Sequence, residues 1–369
     1  MKHSKVKNIQ NLGQSIWLDF FDRKIMTSGE LEKLISEDGI SGMTSNPSIF
    51  EKAINNSSDY DEDIAALFKQ KNRSDDIFLA LAVSDIQRAA DLFTSVYKKT
   101  NGHDGYVSIE VSPRYAHDTE CTINQARQLW KAINRKNVMI KIPSTLEGLP
   151  AIRRCISEGI NINITLLFDL KRYKQVINAY ILGLKDRVSM NQPITDVASV
   201  ASFFVSRIDV VIDPLLVKKG LNKMKGEVAI ACAKKAYDIY ENAVASDEFK
   251  ELLAKGAKPQ RLLWASTSSK DPSFSDVKYV EALIGPETIN TISIETLQAF
   301  NDHGHLEHHL ENNLEKATYL LSSLKENGIN MNNITQQLEE DGIQKFNKAY
   351  DSLLDAIEKQ GTVPELNQM

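Results

Sequence analysis

A lysine within a short apolar segment is the residue that most clearly suggests chemistry. The segment at 138–143 reads VMIKIP, in which alternate residues are apolar and would share one face of a strand. Lys141 would then lie on the opposite face, inside the fold. Burial of an unpaired lysine is costly and favours its neutral form. Because a neutral amine forms a Schiff base with a ketone or aldehyde, the segment predicts covalent carbonyl chemistry.

Other short segments place polar side chains on the same predicted inner face. The residues assigned to it by alternation are Asp19, Thr44, Asn46, Ser108, Glu110, Asn161, Asn163, Thr165 and Ser202. Carboxylates can move protons as general acids and bases, whereas amides and hydroxyls can bind sugar hydroxyls or hold a water molecule. So many polar groups beside one lysine favour an active site over a set of isolated, satisfied core residues.

Eight apolar runs that alternate with helical segments would position these residues. The runs are 16–20, 40–46, 106–111, 138–143, 162–168, 197–204, 262–267 and 289–294. Strands that alternate with helices indicate parallel pairing. Eight repeats favour a (β/α)8 TIM barrel, with the active site at the carboxyl ends of the strands. The alternative is a doubly wound sheet, but no G-x-G-x-x-G turn follows the first run.

Three regions exceed the minimal barrel repeat. Two or three helices are expected within 57–100, and an Ala- and Lys-rich helical insertion within 213–258. Residues 305–369 form a predicted helical tail. One apolar face of this tail, expected to pack on the barrel, carries Ile343, Phe346, Tyr350, Leu353, Leu354 and Ile357. No low-complexity linker precedes the tail, so residues 1–369 are predicted to form a single domain.

Composition narrows the classes of partner. Of the 369 residues, 44 are basic and 49 acidic, a net charge of −5 that argues against bulk binding of nucleic acid. The three cysteines fit no disulfide framework or metal knuckle and favour a reducing cytoplasm. No uncharged apolar stretch is long enough to span a membrane, and residues 1–13 lack the apolar core of a signal peptide.

Three motifs resemble those of one enzyme family and follow one another in the same order as in that family. The GMTSNPSIF segment at 42–50 looks like the T-[ST]-N-P signature of transaldolases. The segment VMIKIPST at 138–145 is similar to the Schiff-base lysine strand of that family, and GININITLLF at 159–168 is similar to the strand that follows it. The resemblance runs from about Asp19 to Gly304 and favours the longer bacterial transaldolases, within the class I Schiff-base aldolase superfamily.

The resemblance implies a reaction and catalytic roles. A dihydroxyacetone unit would pass from sedoheptulose 7-phosphate to glyceraldehyde 3-phosphate, giving erythrose 4-phosphate and fructose 6-phosphate in the non-oxidative pentose phosphate pathway. Lys141 would form the Schiff base, and Asp19 would take the proton from the donor C4 hydroxyl. Glu110, with a water molecule held by Thr165, would serve imine formation and hydrolysis. No cofactor or metal is implied, and a monomer or homodimer is expected.

The same resemblance implies the substrate contacts. Asn46, Asn163 and Ser202 would hold the dihydroxyacetone unit, and Arg207 would bind a phosphate. Many relatives carry a second phosphate arginine after the seventh strand, where this chain has Ser268 within ASTSSK at 265–270. The remaining substrate-binding candidates in that segment are Ser266 and Lys270. Lys270, or the start of the following helix, would supply the missing charge.

Two alternative functions and one alternative site fit the sequence less well. A class I aldolase of the fructose-6-phosphate aldolase type would use the same lysine, but that branch tends not to use a carboxylate at the position of Glu110. A catalytically silent sugar-phosphate-binding barrel is disfavoured because Lys141, Asp19 and Glu110 are all present. The histidine-rich run at 303–309 fits no zinc motif and is predicted to be an exposed helix start. Trp17 and Trp264 are expected to face the barrel interior.

Overall fold

Eight parallel strands form a closed barrel in this computed structural model, which describes residues 4–362. The strands are β1 (Gln14–Asp19), β2 (Gly42–Thr44), β3 (Val107–Glu110), β4 (Val138–Pro143), β5 (Ile162–Leu167), β6 (Ser199–Phe204), β7 (Arg261–Ala265) and β8 (Thr288–Ile292). They pair in sequence order, and β8 closes the barrel against β1. The predicted (β/α)8 fold is therefore confirmed.

Helices connect and surround the strands. Their bounds are α1 (Lys5–Ile9), α2 (Arg23–Thr27), α3 (Glu30–Glu37), α4 (Pro47–Asn55), α5 (Asp61–Lys69), α6 (Ser74–Leu92), α7 (Thr94–Lys99), α8 (Thr119–Ile133), α9 (Gly148–Ser157), α10 (Leu170–Ser189), α11 (Ser206–Lys218), α12 (Val228–Val244), α13 (Asp247–Leu253), α14 (Lys278–Ala282), α15 (Ile294–His303), α16 (Leu314–Glu326) and α17 (Met331–Thr362). Short 3-10 turns occupy Gln10–Leu12, Pro113–Tyr115 and Asn222–Met224. The extra helices predicted within 57–100 are α5, α6 and α7, and those within 213–258 include α12 and α13.

The strand register brings polar residues of neighbouring strands to one level inside the barrel. Asp19 of β1 is the register partner of Thr44 of β2. Glu110 of β3 is the partner of Lys141 of β4, which in turn pairs with Asn163 of β5. Because all strands run in the same direction, their carboxyl ends open at one end of the barrel. The predicted site residues therefore gather at that end.

The long helix α17 packs back onto the barrel, as the tail pattern predicted. It contacts α4, α5 and α6, and Phe346, Leu353 and Ile357 of the predicted apolar face are buried. A Cβ on Gly342 would lie 2.8 Å from Leu166 of β5, so glycine permits this close approach. Residues 363–369 of the predicted tail lie outside the described residues. That the whole chain forms one domain stays a prediction.

Two local predictions were wrong. Trp264 faces the surrounding helices, where its ring packs edge-on against Phe203 at 6.3 Å. The inner face of β7 instead carries Arg261, which donates to Ser15 Oγ inside the barrel. Leu262, Leu263 and Trp264 are all apolar, so alternation could not separate the two faces. The histidine-rich run lies at and beyond the end of α15 rather than at a helix start.

No helix in the part of the chain that the structure describes has the length and apolar character needed to cross a membrane.

Candidate active site

A cavity of about 650 Å³ lies at the carboxyl ends of the strands. Eight of the ten predicted site residues line it, namely Asp19, Asn46, Lys141, Thr165, Ser202, Arg207, Ser266 and Lys270. The other two contact residues that line it, since Glu110 lies beside Lys141 and Asn163 accepts a hydrogen bond from Ser202. Residues from distant parts of the sequence therefore meet around one cavity.

Lys141 is held by one group that follows β2 and one group on the neighbouring strand β3. Its side chain is 6% exposed, and its Nζ donates to the Ser45 carbonyl oxygen at 3.0 Å. Glu110 Oε2 lies 3.4 Å from the same nitrogen. This pair forms because Glu110 and Lys141 are direct register partners on β3 and β4. The amine is thus oriented and still opens into the cavity.

Asp19 receives a hydrogen bond from a residue that the sequence analysis left out of the site. Thr44 Oγ1 donates to Asp19 Oδ1 at 2.7 Å, and Thr44 Oγ1 lies 2.8 Å from Thr291 Oγ1. Burial raises the pKa of Asp19 above its ordinary value, while Lys141 and the Thr44 bond oppose that rise. Thr44 had been placed on the inner face, so its register with Asp19 was the missing signal.

Glu110 and Thr165 carry buried oxygens that make no hydrogen bond to the described residues. Both carboxylate oxygens of Glu110 and the hydroxyl of Thr165 belong to this class. Burial raises the pKa of Glu110, and the neighbouring Lys141 opposes that effect. Buried polar groups normally find a partner, and ordered water often supplies it. These two side chains are therefore suited to hold water beside Lys141.

The three residues expected to hold a dihydroxyacetone unit differ in position. Asn46 lines the cavity, and its side chain also caps α4 by accepting from Ile49 N at 3.1 Å. Ser202 lines the cavity and donates to Asn163 Oδ1 at 2.7 Å. Asn163 is fully buried and donates to Ser108 Oγ at 3.0 Å. Its direct contact with substrate stays a prediction, and its bonds favour a role in positioning Ser202.

Cationic side chains line the outer part of the cavity. The Arg207 guanidinium lies 5.0 Å from the Phe204 ring centroid, and burial lowers the pKa of Arg207. Lys270 Nζ donates to Ser268 Oγ at 2.7 Å, so the serine at the family's arginine position contacts the lysine expected to replace it. Burial, followed by the charge of Arg207, lowers the pKa of Lys270. Arg207 and Lys270 together form a site suited to a phosphate.

Several cavity residues were missed by the sequence analysis. Lys52 projects from α4, six residues after the capping residue Asn46, and adds a third cation. Phe346 of α17 lines the cavity from the tail. Lys52 lies four and three residues after Ser48 and Ile49, which line the same cavity, so helical spacing could have suggested it. No local pattern could have suggested Phe346, because its contact depends on how α17 crosses the barrel.

The histidine-rich run is separate from this cavity. His303 Nε2 lies 2.8 Å from Asp276 Oδ1, and His305 Nδ1 lies 3.0 Å from Glu281 Oε1. Within residues 4–362, no group of three or more His, Cys, Asp and Glu side chains is placed to hold a metal ion. His303 and His305 of this run therefore contact surface carboxylates.

Comparison with known proteins decides the family. A model of the transaldolase/fructose-6-phosphate aldolase family matches residues 16–357. The chain belongs to this family. The transaldolase of Trichodesmium erythraeum (strain IMS101) is 49% identical over 364 residues, which cover 95% of this chain and 96% of that protein. The transaldolase of Saccharopolyspora erythraea is 44% identical, covering 97% of this chain and 98% of that protein.

Transaldolase 2 of Nostoc sp. (strain PCC 7120) is 47% identical over 364 residues, covering 95% of this chain and 96% of its own length. These relatives confirm the family resemblance and the predicted enzyme class, a transferase of aldehyde or ketone residues. Membership of the transaldolase family also accounts for the order of the three motifs along β2, β4 and β5.

Proposed function

We propose that this chain transfers a dihydroxyacetone unit from sedoheptulose 7-phosphate to glyceraldehyde 3-phosphate through a Schiff base on Lys141. The products are erythrose 4-phosphate and fructose 6-phosphate. The observation that carries the proposal is the placement of the Lys141 amine, which lies between Ser45 and Glu110 and opens into a cavity shared with Asp19. The transaldolase relatives support the same activity.

The first half of the reaction forms the imine. The Lys141 amine attacks the C2 carbonyl of the donor, and the resulting carbinolamine loses water to give an iminium ion. Glu110, whose pKa is raised by burial, supplies and removes the protons that this dehydration requires. Thr165 lines the substrate cavity together with Lys141 and holds the water molecule involved.

The second half breaks and remakes a carbon–carbon bond. Asp19 takes the proton of the donor C4 hydroxyl, the C3–C4 bond breaks, and its electron pair moves to the iminium nitrogen to give an enamine. The first aldehyde leaves. The enamine then attacks the acceptor aldehyde, and Asp19 returns its proton to the new hydroxyl. A buried carboxylate with a raised pKa accepts this proton readily. Water hydrolyses the regenerated iminium ion, which releases the ketose product and frees the Lys141 amine.

The remaining residues bind the substrate. Ser202 and Asn46 hold hydroxyls of the dihydroxyacetone unit, and Asn163 positions Ser202. Arg207 and Lys270 bind the phosphate, and the polar Ser266 contributes to the same wall of the cavity. These assignments rest on where each side chain lies in the cavity and on the chemistry of its functional group.

Borohydride trapping tests the Schiff base. Reduction in the presence of fructose 6-phosphate should inactivate the enzyme irreversibly, and peptide mapping should place the added mass on Lys141. Lys52 lines the same cavity but lies on α4, so it serves as an internal control. Added mass on Lys52, or on Lys131 or Lys136 outside the cavity, would contradict the mechanism.

The alternative activity is that of an aldolase which releases dihydroxyacetone to water. The carboxylate of Glu110 beside Lys141 favours transfer, because with Thr165 it can hold the water in place while the enamine is shielded from solvent protons. Fructose 6-phosphate should therefore be converted rapidly only when erythrose 4-phosphate is added. Free dihydroxyacetone that accumulates at a similar rate with and without the acceptor would indicate an aldolase.

We also propose a cytoplasmic location, one domain over residues 1–369, and a monomer or homodimer. All three cysteines, Cys121, Cys155 and Cys232, are free thiols, which supports a reducing compartment. Sedimentation analysis at several protein concentrations would decide between monomer and homodimer.

A further inference from the structure

A second cavity reaches the active site from a different direction. It has a volume of about 370 Å³ and lies between the ends of β2 and β3 and the helices α6, α8 and α17. Ser45, Asn46 and Glu110 form its inner end. Its outer end includes the exposed residues Arg73 and Gln128. The cavity therefore extends from the protein surface to the surroundings of Lys141.

Two groups at its inner end hold the reactive amine. The Ser45 carbonyl oxygen and the Glu110 carboxylate are the partners of Lys141 Nζ described above. The Glu110 side chain is only 3% exposed, yet its oxygens make no hydrogen bond to the described residues. Glu110 lines this second cavity, whereas Lys141 and Thr165 line the substrate cavity. Glu110 thus forms a wall between the two spaces.

The charges of the second cavity do not suit a phosphate. Arg73 pairs with Asp76 at 3.2 Å, and Arg114 lies 3.8 Å from Asp75, so the cations at the outer end are matched by carboxylates. Apolar side chains form the middle section, including Phe50, Phe78, Ala82 and Leu129. The substrate cavity instead gathers the cations Lys52, Arg207 and Lys270. The lining of the second cavity therefore favours a small neutral molecule.

Contacts with the tail helix hold one wall of this cavity in place. Tyr350 Oη donates to Asp75 Oδ1 at 2.9 Å, and Arg114 Nη2 donates to Asp351 Oδ1 at 2.6 Å. The Arg114 guanidinium also lies 5.2 Å from the centroid of the Tyr350 ring. A water molecule occupies about 30 Å³ in the liquid, so this enclosed space admits several.

We propose that the second cavity is a water passage to Glu110, separate from the substrate cavity. The inference rests on the proposed Schiff-base function. Imine formation from a ketone and the Lys141 amine releases one water molecule, and imine hydrolysis consumes one. A bound ketose phosphate occupies the substrate cavity during both steps. Water leaves and enters through the second cavity, where Glu110 exchanges protons with it.

Oxygen exchange tests this passage. Unsubstituted enzyme is incubated with fructose 6-phosphate in ¹⁸O-labelled water without an acceptor, and label at C2 is measured by mass spectrometry after subtraction of the uncatalysed rate. Ala82→Leu fills the apolar middle of the passage, and Gln128→Trp blocks its exposed mouth. Ala317→Leu is the matched control, because Ala317 lines a different cavity beside Lys234 and Lys316.

Both passage variants should exchange label about tenfold more slowly, equivalent to a barrier increase of about 1.4 kcal/mol. The donor KM should stay at the unsubstituted value, and Ala317→Leu should exchange normally. Gln128→Trp provides the result if Ala82→Leu does not fold, since position 128 is exposed. Unslowed exchange in the passage variants, or equal slowing in Ala317→Leu, would overturn the passage and leave the imine mechanism intact. Absence of exchange in the unsubstituted enzyme would refute both.

Discussion

Replacement of Thr44 by valine should change the pH dependence of catalysis without removing any group that reacts. Valine has nearly the shape of threonine but lacks the hydroxyl that donates to Asp19 Oδ1 at 2.7 Å. That bond stabilises the ionised carboxylate and therefore opposes the rise in the pKa of Asp19 that burial causes. Its loss should raise the pKa of Asp19 further.

The size of the shift follows from the bond. A hydrogen bond to a charged group contributes about 1.5–3 kcal/mol, and one pKa unit corresponds to about 1.36 kcal/mol. The pKa of Asp19 should thus rise by about one to two units. Ionised Asp19 accepts the C4 proton, so activity is lost as pH falls through this pKa. The acidic limb of kcat/KM should move to higher pH by the same amount.

The assay is the pH profile of kcat/KM for transfer from fructose 6-phosphate to erythrose 4-phosphate. Thr44→Ser keeps the hydroxyl and is the matched control, with an acidic limb expected at its original position. Far above the limb, Thr44→Val should approach the unsubstituted rate, because Asp19 is ionised there in both proteins. An unmoved acidic limb in folded Thr44→Val would refute the proposed role of this bond, as would an equal shift in Thr44→Ser.

Three further predictions concern the amine, the phosphate and metal ions. Lys141→Arg keeps the charge but should leave less than about a tenth of the turnover, because a guanidinium stays protonated and cannot form an imine. Higher activity in a steady-state assay would exclude Lys141 as the nucleophile. Arg207→Ala should weaken the binding of phosphorylated sugars by about 10- to 150-fold and leave the binding of free dihydroxyacetone unaffected, as measured by calorimetry. Equal losses of affinity for both ligands would place Arg207 away from the phosphate. Activity should survive treatment with EDTA, because an iminium performs the role of a Lewis acid, and recovery only on addition of zinc would contradict this.

Local patterns predicted a large part of the fold and the site. Strand alternation is a property of neighbouring residues, so the segment at 138–143 was enough to place Lys141 inside the barrel. The capping of α4 by Asn46 is equally local, since the bond spans three residues. The same alternation failed at Trp264, because β7 is apolar on both faces and its charged inner residue, Arg261, lies at the start of the strand.

Local sequence patterns were therefore enough to predict the barrel class, the inward lysine and the two carboxylates. Each of these predictions uses the strand period of two residues or the helix period of about four. Tertiary structure alone decided which of these groups touch. The bond between Thr44 and Thr291 joins residues 247 positions apart, and Tyr350 of α17 reaches Asp75 across 275 positions. Such contacts depend on strand register, barrel closure and the path of α17. These features set the distances between remote residues, and the periodicity of neighbouring residues does not reveal them.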